Sequence, residues 1–159
     1  MPINHVHESP GYREVLAKLQ RFCAYQERCH FDVRKKLKEL ETAPDSWDFI
    51  IADLIDQNFL NEERFAKIFS GGKFRIKKWG RLKIEKSLKE KQLTDYCIRK
   101  GLEEIDEEQY LETLDHLANR KFEETNAPNI YSKRDKVSKY LINRGFEPNL
   151  IWAKLKKLG

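Results

Sequence analysis

Long apolar runs are missing from this sequence of 159 residues, and no stretch approaches the roughly 20 apolar residues that a membrane-spanning helix needs. The first ten residues, MPINHVHESP, also lack the apolar segment of a secretory signal. Hydrophobic residues make up only 40% of the chain, and the mean hydropathy is −0.76. We therefore expect a cytoplasmic protein without a membrane segment.

Cysteine is scarce as well, with only Cys23, Cys29 and Cys97. Cys23 and the Cys29-His30 pair could be interpreted as a fragment of a metal site. Their spacing matches no zinc signature, however, and no second Cys or His pair follows, so buried thiols on a helix are the better interpretation. We predict neither a metal nor a cofactor.

Catalytic motifs are not found either. The sequence contains no glycine-rich phosphate loop, no HExxH and no GxSxG, and its four histidines do not pair. One dense group of acids could suggest a metal site; its members are Glu103, Glu104, Asp106, Glu107 and Glu108. A solvated surface that also places negative charge at a helix N-terminus explains the group better. We therefore predict that the protein is not an enzyme.

Helical periodicity, in contrast, runs through nearly the whole chain. Asn61 is a potential N-cap, and the following Glu62 and Glu63 suit the positive end of a helix dipole. The same order of residues recurs from Asp106 onward. Apolar stripes at helical spacing predict nine helices, near residues 10–26, 31–40, 46–57, 61–74, 79–91, 95–104, 107–125, 133–144 and 148–158.

Local signals refine the ends of these helices. We expect Gly71-Gly72 to end or kink the fourth helix, and Ser132-x-x-Asp135 to start the eighth. Asn58 and Gly145 are expected to end their helices in the left-handed conformation.

The helices fall into sets of three with the same apolar spacing. Ile84, Leu88, Leu93, Ile98, Leu102 and Ile105 are spaced identically to Val137, Leu141, Phe146, Ile151, Leu155 and Leu158. Val33 and Leu37 begin the same series, which then needs an insertion of about four residues at 42–45. An irregular bundle of nine helices is the alternative, because helical stripes also repeat by chance.

The fold predicted from this spacing is all-α, with three tandem three-helix repeats of helix-turn-helix type that form an elongated, curved body. The expected divisions are a flexible arm over residues 1–8, followed by repeats over 9–60, 61–105 and 106–159.

Positive charge is concentrated on one helix of each repeat. The chain has a net charge of +5 and a pI of about 9.0, and residues 73–91 contain nine Lys or Arg residues against Glu85 and Glu90. A charged surface is usually only solvated, but recurrence on equivalent helices favours contact with a polyanion. The candidate contacts are Arg75, Lys77, Lys78, Arg81, Lys83, Lys86, Lys133, Arg134 and Lys136. Trp79 could stack on a base, although packing against the core is the commoner role of such an aromatic residue.

Three segments resemble motifs of the RecX family of regulatory proteins. Residues 59–66 (FLNEERFA) resemble its run at the start of the fourth helix, residues 79–84 (WGRLKI) with Leu88 resemble its central motif, and residues 140–146 (YLINRGF) resemble its late motif. The chain departs from the family at Lys91-Gln92, where the family has Lys-Gly, and at residues 26–29, which are QERC.

This resemblance implies a regulator that is not an enzyme. It would bind the RecA recombinase filament and inhibit RecA ATPase, strand exchange and co-protease activity in recombination and DNA repair. We expect a monomer whose basic side contacts the filament, with direct contact to single- or double-stranded DNA left open. Two alternatives remain: a stand-alone nucleic-acid-binding repeat protein, and a helical scaffold for some other protein whose charge serves solubility.

Overall fold

The computed structural model describes residues 10–159, so the arm expected at residues 1–8 lies outside the described residues. This part of the chain contains nine α-helices and no strand. In chain order they are α1 (Pro10–Tyr25), α2 (His30–Glu39), α3 (Trp47–Asp56), α4 (Glu62–Lys77), α5 (Arg81–Glu90), α6 (Asp95–Leu102), α7 (Glu107–Glu124), α8 (Ile130–Asn143) and α9 (Pro148–Leu155). A 3-10 turn, Pro44–Ser46, precedes α3 and overlaps the predicted insertion at residues 42–45. None of these helices is both long enough and apolar enough to cross a membrane.

The prediction of an all-α fold made of three-helix repeats is confirmed. The side chain of Asn61 accepts a hydrogen bond from the Arg64 N–H at 2.9 Å, and Asp106 caps α7 in the same way through Gln109. The three repeats consist of helices α1–α3, α4–α6 and α7–α9. The second and third repeats both start with a side-chain N-cap.

Two of the expected helix ends were wrong. Helix α4 continues through Gly71-Gly72 to Lys77. Each helical glycine costs about 1 kcal/mol of helix stability. Burial of Phe65 and Ala66 before the glycines, and of Phe74 after them, offsets this cost. Helix α8 begins at Ile130 rather than near Ser132, because the Asn129 side chain accepts the Ser132 N–H at 2.9 Å and caps the helix earlier.

The second helix of each repeat ends on a residue with left-handed backbone. These residues are Glu41 (φ 55°), Gln92 (φ 64°) and Gly145 (φ 97°), and they follow the buried Val33, Ile84 and Val137 at the same interval. The expected left-handed residue Asn58, at φ 63°, ends α3. At Lys91-Gln92, where the sequence departs from Lys-Gly, the turn therefore has the same left-handed backbone as in the other two repeats. Gln92 thus adopts a conformation that normally favours glycine.

The core is divided unevenly among the repeats. Repeat 1 buries its own cluster around Leu19, Leu37 and Leu54. Repeats 2 and 3 share a single cluster that runs from Phe65 to Leu155 and also includes Cys29 of repeat 1. At its centre the ring of Tyr110 lies 5.7 Å from that of Phe74 and 5.2 Å from that of Phe146, measured between centroids, so aromatic packing joins the cores of these two repeats.

Repeat 1 meets repeat 2 around the start of α2, where Cys29 is buried in the core of repeats 2 and 3 and polar contacts surround it. Lys91 pairs with Asp32 at 2.8 Å, Arg64 pairs with Glu27 at 2.7 Å, and Glu62 accepts the His30 N–H at 2.9 Å. Burial would raise the pKa of Asp32, but Lys91 and the Cys29 N–H outweigh it and lower that pKa.

The thiols nearest this joint are buried, as the sequence predicted, but only Cys23 lies within a helix, because Cys29 is the residue that precedes α2. Cys23 is 6% exposed and Cys29 is fully buried. Burial raises the pKa of Cys23 to about 11 and that of Cys29 to about 12, so both thiols are protonated and unreactive at neutral pH.

Replacing Gln92 with glycine should raise the free energy of unfolding by about 0.5–1 kcal/mol, because the left-handed backbone strains any residue with a Cβ atom. Urea denaturation of the Gln92→Gly variant measures the change. The matched control is Glu90→Gly, within the right-handed last turn of α5, which should lower stability by about 1 kcal/mol. A loss of stability in Gln92→Gly would show that the turn is not strained.

Candidate functional site

The backbones of repeats 2 and 3 meet where two of the motif segments come together. The Gly80 N–H donates to the Arg144 carbonyl oxygen at 2.7 Å, and the Leu82 N–H donates to the Gly145 carbonyl oxygen at 2.9 Å. A Cβ atom on Gly80 would lie 2.2 Å from the Gly145 carbonyl carbon, and one on Gly145 would lie 2.3 Å from the Lys83 Cβ. Both positions therefore require glycine, because the two backbone segments approach each other so closely. The two motif segments resemble the family at the place where repeats 2 and 3 are in contact.

Arg81, one of the predicted contact residues, binds across the contact between repeats 2 and 3. Its Nε lies 2.9 Å from Glu147 Oε2, and its Nη1 lies 2.7 Å from Glu107 Oε2. Its guanidinium carbon lies 3.9 Å from the centroid of the Tyr110 ring. The Tyr110 hydroxyl accepts the backbone N–H of Arg81 at 3.0 Å and donates to Glu147.

The electrostatics of this cluster favour a charged Arg81 and a neutral Tyr110. Burial would lower the pKa of Arg81, but the hydrogen bond to Glu107 and the charge of Glu147 outweigh it and raise that pKa. Burial, together with the hydrogen bond to Glu147, raises the pKa of Tyr110. The Arg81 side chain is only 25% exposed, so the structure gives this residue a role in holding repeats 2 and 3 together.

The most accessible predicted contacts lie at the end of α4 and on α5 and α8. They are Arg75, Lys77, Lys78, Lys86 and Lys136, all of them exposed. Lys136 Nζ donates to the Asn126 carbonyl oxygen at 3.1 Å. The other four form no ion pair with any residue from 10 to 159, so their charges are available to a partner.

The three remaining predicted contacts are half-buried and take part in packing. The Nζ of Lys83 lies 4.5 Å from the centroid of the Trp79 ring, and that of Lys133 lies 4.2 Å from the centroid of Phe122. Arg134 Nη2 donates to the Leu158 carbonyl oxygen at 2.8 Å. Trp79 itself is partly buried against the core that repeats 2 and 3 share, which favours the packing role over base stacking.

The predicted contacts do not converge on one cavity. Lys83 and Lys86 line a groove of about 450 Å³ between α5 and the end of α8. Lys78 lines a different groove of about 350 Å³, next to α7 and α8. Lys133, Arg134 and Lys136 line neither groove.

The second groove contains cations that sequence reasoning missed. We call it the α7–α8 groove; it is lined by Lys78, His116, Leu117, Arg120, Lys121, Glu124, Tyr140 and Arg144. The sequence had placed α7 among the acidic parts of the chain, because acids are dense between residues 103 and 124. The adjacent pair Arg120-Lys121 near the end of α7 was the signal that could have pointed to this groove.

Comparison with family models places two of the repeats in one family. The model described as "RecX, second three-helix domain" matches residues 61–102, and the model described as "RecX, third three-helix domain" matches residues 107–155. Together they cover more than half of the chain, and their limits coincide with α4–α6 and α7–α9.

Curated relatives give the same result at low identity. The regulatory protein RecX of Listeria welshimeri is 26% identical over 151 residues, covering 95% of this chain and 56% of the relative. That of Lactobacillus gasseri is 26% identical over 156 residues, covering 98% and 58%. That of Shigella dysenteriae is 24% identical over 147 residues, covering 86% and 87%. The chain thus spans little more than half the length of the first two.

Solved structures share the fold. A crystal structure of regulatory protein RecX superimposes with a TM-score of 0.83 at 21% identity, over 91% of this chain and 73% of the other. The crystal structure of RecX from Lactobacillus salivarius gives a TM-score of 0.82 at 21% identity, over 92% and 95%.

Substitution of Arg81 tests its role at the joint. Arg81→Gln should lower the free energy of unfolding by about 2 kcal/mol, since charge-assisted hydrogen bonds to two carboxylates are lost. Arg120→Gln is the matched control, because Arg120 is 71% exposed and, among residues 10–159, forms an ion pair with Glu124 alone; its effect should stay within about 0.5 kcal/mol. Chemical denaturation of both variants gives the comparison, and equal effects would contradict a structural role for Arg81.

Proposed function

The chain belongs to the RecX family, and from this membership we propose that it is a regulator that binds the RecA–DNA filament. In this proposal it inhibits RecA ATPase, strand exchange and co-protease activity, and it does so by binding rather than by catalysis. The observation that carries the proposal is the match of two successive RecX three-helix domains to α4–α6 and α7–α9. The protein would act in the cytoplasm as a monomer, without a cofactor.

The repeats offer a way to bind a filament along its length. We propose units over residues 9–60, 61–105 and 106–159, of which the last two move as one body because they share a core. A repeat protein can contact successive subunits of a helical filament, and several weak contacts then add through effective concentration.

The charges proposed to make these contacts are the exposed ones at the end of α4 and on α5. Arg75, Lys77 and Lys86 are exposed and have no ion-pair partner among the described residues, so binding a polyanion breaks no existing contact. Weaker contributions would come from the other predicted cations, Lys83, Lys133, Arg134 and Lys136. Arg81 would act mainly by holding repeats 2 and 3 together through Glu107 and Glu147.

A stand-alone nucleic-acid-binding protein is the second candidate. The observation that favours it is the α7–α8 groove, in which four cations lie together with one carboxylate, Glu124. The two candidates differ in whether the protein needs RecA for its effect.

The first experiment is a titration of RecA ATPase on single-stranded DNA with this protein, alongside its binding to the same DNA alone. We expect ATPase to fall at concentrations that barely bind bare DNA. Loss of ATPase only as the DNA becomes covered would favour the second candidate. If the protein neither inhibits the RecA ATPase nor binds the DNA, both candidates are excluded.

Charge reversal tests the proposed contact surface. The Arg75→Glu/Lys77→Glu/Lys86→Glu variant should need about tenfold more protein for half-inhibition, since each exposed charge pair contributes up to about 1 kcal/mol, and the difference should shrink as salt is added. The matched control is Arg13→Glu/Lys18→Glu/Arg21→Glu, with the same charge change on exposed positions of α1. Equal losses in the two variants would point to general attraction instead of a defined surface.

A further inference from the structure

The two contacts between successive repeats are built in different ways. Repeats 2 and 3 share one core and are joined by backbone hydrogen bonds at Gly80 and Leu82. Among residues 10–159, no hydrogen bond between backbone groups joins repeat 1 to repeat 2. Repeat 1 has a core of its own, and Cys29 is its only described residue that is buried in the core of the other two. Units with separate cores and a small polar interface are expected to move relative to each other.

The surfaces of repeats 1 and 2 fit together only in part. Residues of both repeats line two clefts at this contact. One cleft has a volume of about 380 Å³ and lies between the Glu27–Asp32 segment and Phe65, and the other, of about 450 Å³, lies between Phe31 and Trp79. Well-packed interfaces leave few spaces of this size. Separation of the two repeats therefore exposes little apolar surface that is not already near solvent.

Arg64, in the first turn of α4, makes the largest set of contacts with repeat 1. Its Nε pairs with Glu27 Oε1 at 2.7 Å, in the segment between α1 and α2. Its Nη1 donates to Asn58 Oδ1 at 3.1 Å, and its Nη2 donates to the Phe59 carbonyl oxygen at 3.3 Å. One guanidinium therefore joins α4 both to the α1–α2 segment and to the end of repeat 1.

Two more polar contacts close the interface, Lys91 with Asp32 at 2.8 Å and Glu62 with the His30 N–H at 2.9 Å. The side chains of Lys91 and Asp32 are 30% and 18% exposed, so water can reach both when the repeats separate. Glu27 Oε2 is buried and accepts no hydrogen bond from the described residues. Opening would return this oxygen to water, which offsets part of the lost ion pair.

Residues 58–61, between α3 and α4, are placed to act as a hinge. Leu60 is buried in the core of repeat 1, and Phe65 is buried in the core of repeats 2 and 3, so the chain passes from one core to the other within five residues. Asn58 has left-handed backbone, and Asn61 is extended, with φ −150° and ψ 107°. A few such positions at the ends of helices can absorb a large change in backbone angles.

We propose that repeat 1 opens away from repeats 2 and 3 as an intact unit, turning about residues 58–61. The contacts of Arg64, Lys91 and Glu62 hold it closed. The inference goes beyond the proposed function, because it describes the free protein and applies whichever partner binds. Opening exposes Cys29 and Phe65, so a partner that binds these surfaces would shift the protein toward the open form.

Pulsed alkylation of the full chain with N-ethylmaleimide, followed by mass spectrometry of its peptides, tests the opening. Cys29 lies at the contact between repeats, whereas Cys23 is buried in the core of repeat 1. Opening without unfolding therefore exposes Cys29 alone. We expect Cys29 to react at least about tenfold faster than Cys23, with a weaker dependence on urea below the unfolding transition, because opening exposes less surface than unfolding.

Substitution of Arg64 tests the contacts that close the interface. Arg64→Gln should raise the reaction rate of Cys29 about tenfold, the factor for one lost charge-assisted hydrogen bond, and change that of Cys23 less than about twofold. The matched control is Lys89→Gln, because Lys89 is 58% exposed and pairs with Glu85 within α5. The control removes the same charge and should leave both rates within about twofold of wild type. Circular dichroism checks that both variants are folded.

Distances between spin labels separate opening of repeat 1 from fraying of the α1–α2 segment. The labels are attached to Lys38→Cys/Lys86→Cys, one in each unit, and to Lys86→Cys/Glu112→Cys, both within repeats 2 and 3; all three positions are exposed. Both pairs are made in a Cys97→Ala background. We expect two distance populations for the first pair and one for the second, with Arg64→Gln increasing the longer distance in the first pair only.

Three results would overturn the inference. Equal reaction rates for Cys23 and Cys29, with the same dependence on urea, would mean that the contact opens only when repeat 1 unfolds. Acceleration of both thiols by the same factor in Arg64→Gln would show that Arg64 stabilises repeat 1 itself. A single distance for the first pair in Arg64→Gln would assign the reactivity of Cys29 to fraying. RecA and DNA are absent from these measurements, so their failure is distinguishable from failure of the proposed function.

Discussion

The contact of two backbones at Gly80 and Gly145 is the constraint on which the rest of the molecule depends. Neither position has room for a side chain, since a Cβ atom on either would lie within 2.3 Å of an atom in the opposite segment. That approach allows two backbone hydrogen bonds between the start of α5 and the end of α8. It also brings Arg81 to Glu147, sets Tyr110 between Phe74 and Phe146, and merges the cores of repeats 2 and 3 into one cluster.

Equivalent positions in the other repeats show what this constraint adds. Glu41, Gln92 and Gly145 all have left-handed backbone at the end of the second helix. Glu41 and Gln92 are exposed and tolerate the strain with a side chain present, at a net cost of about 0.5–1 kcal/mol relative to glycine. Gly145 meets the start of α5, so the strain and the close approach together leave glycine as the only choice. The same turn is thus a local feature in two repeats and a tertiary joint in the third.

Positive charge along the chain divides into two physical roles. Arg81, Lys83, Lys133 and Arg134 are occupied with carboxylates, rings or a backbone carbonyl. Arg75, Lys77, Lys78 and Lys86 extend into solvent. A count of basic residues treats these groups alike, although an occupied cation must lose its existing partner before it can bind a new one. The acid-rich helix α7 shows the opposite case, since it contributes two cations to a basic groove.

The sequence by itself determined the helices and the left-handed residues Asn58 and Gly145, because these depend on contacts within a few residues along the chain. It also determined the three-helix repeats, because the same apolar spacing recurs in successive sets of helices. The N-caps Asn61 and Asp106 are of this kind. Local signals failed where packing outweighed them, as at Gly71-Gly72, which the buried Phe65 and Phe74 keep helical. Only the tertiary structure decided that Arg81 joins two repeats and that Lys78, Arg120, Lys121 and Arg144 share a groove. These residues are far apart in sequence, and no helical periodicity records which helix will lie beside which.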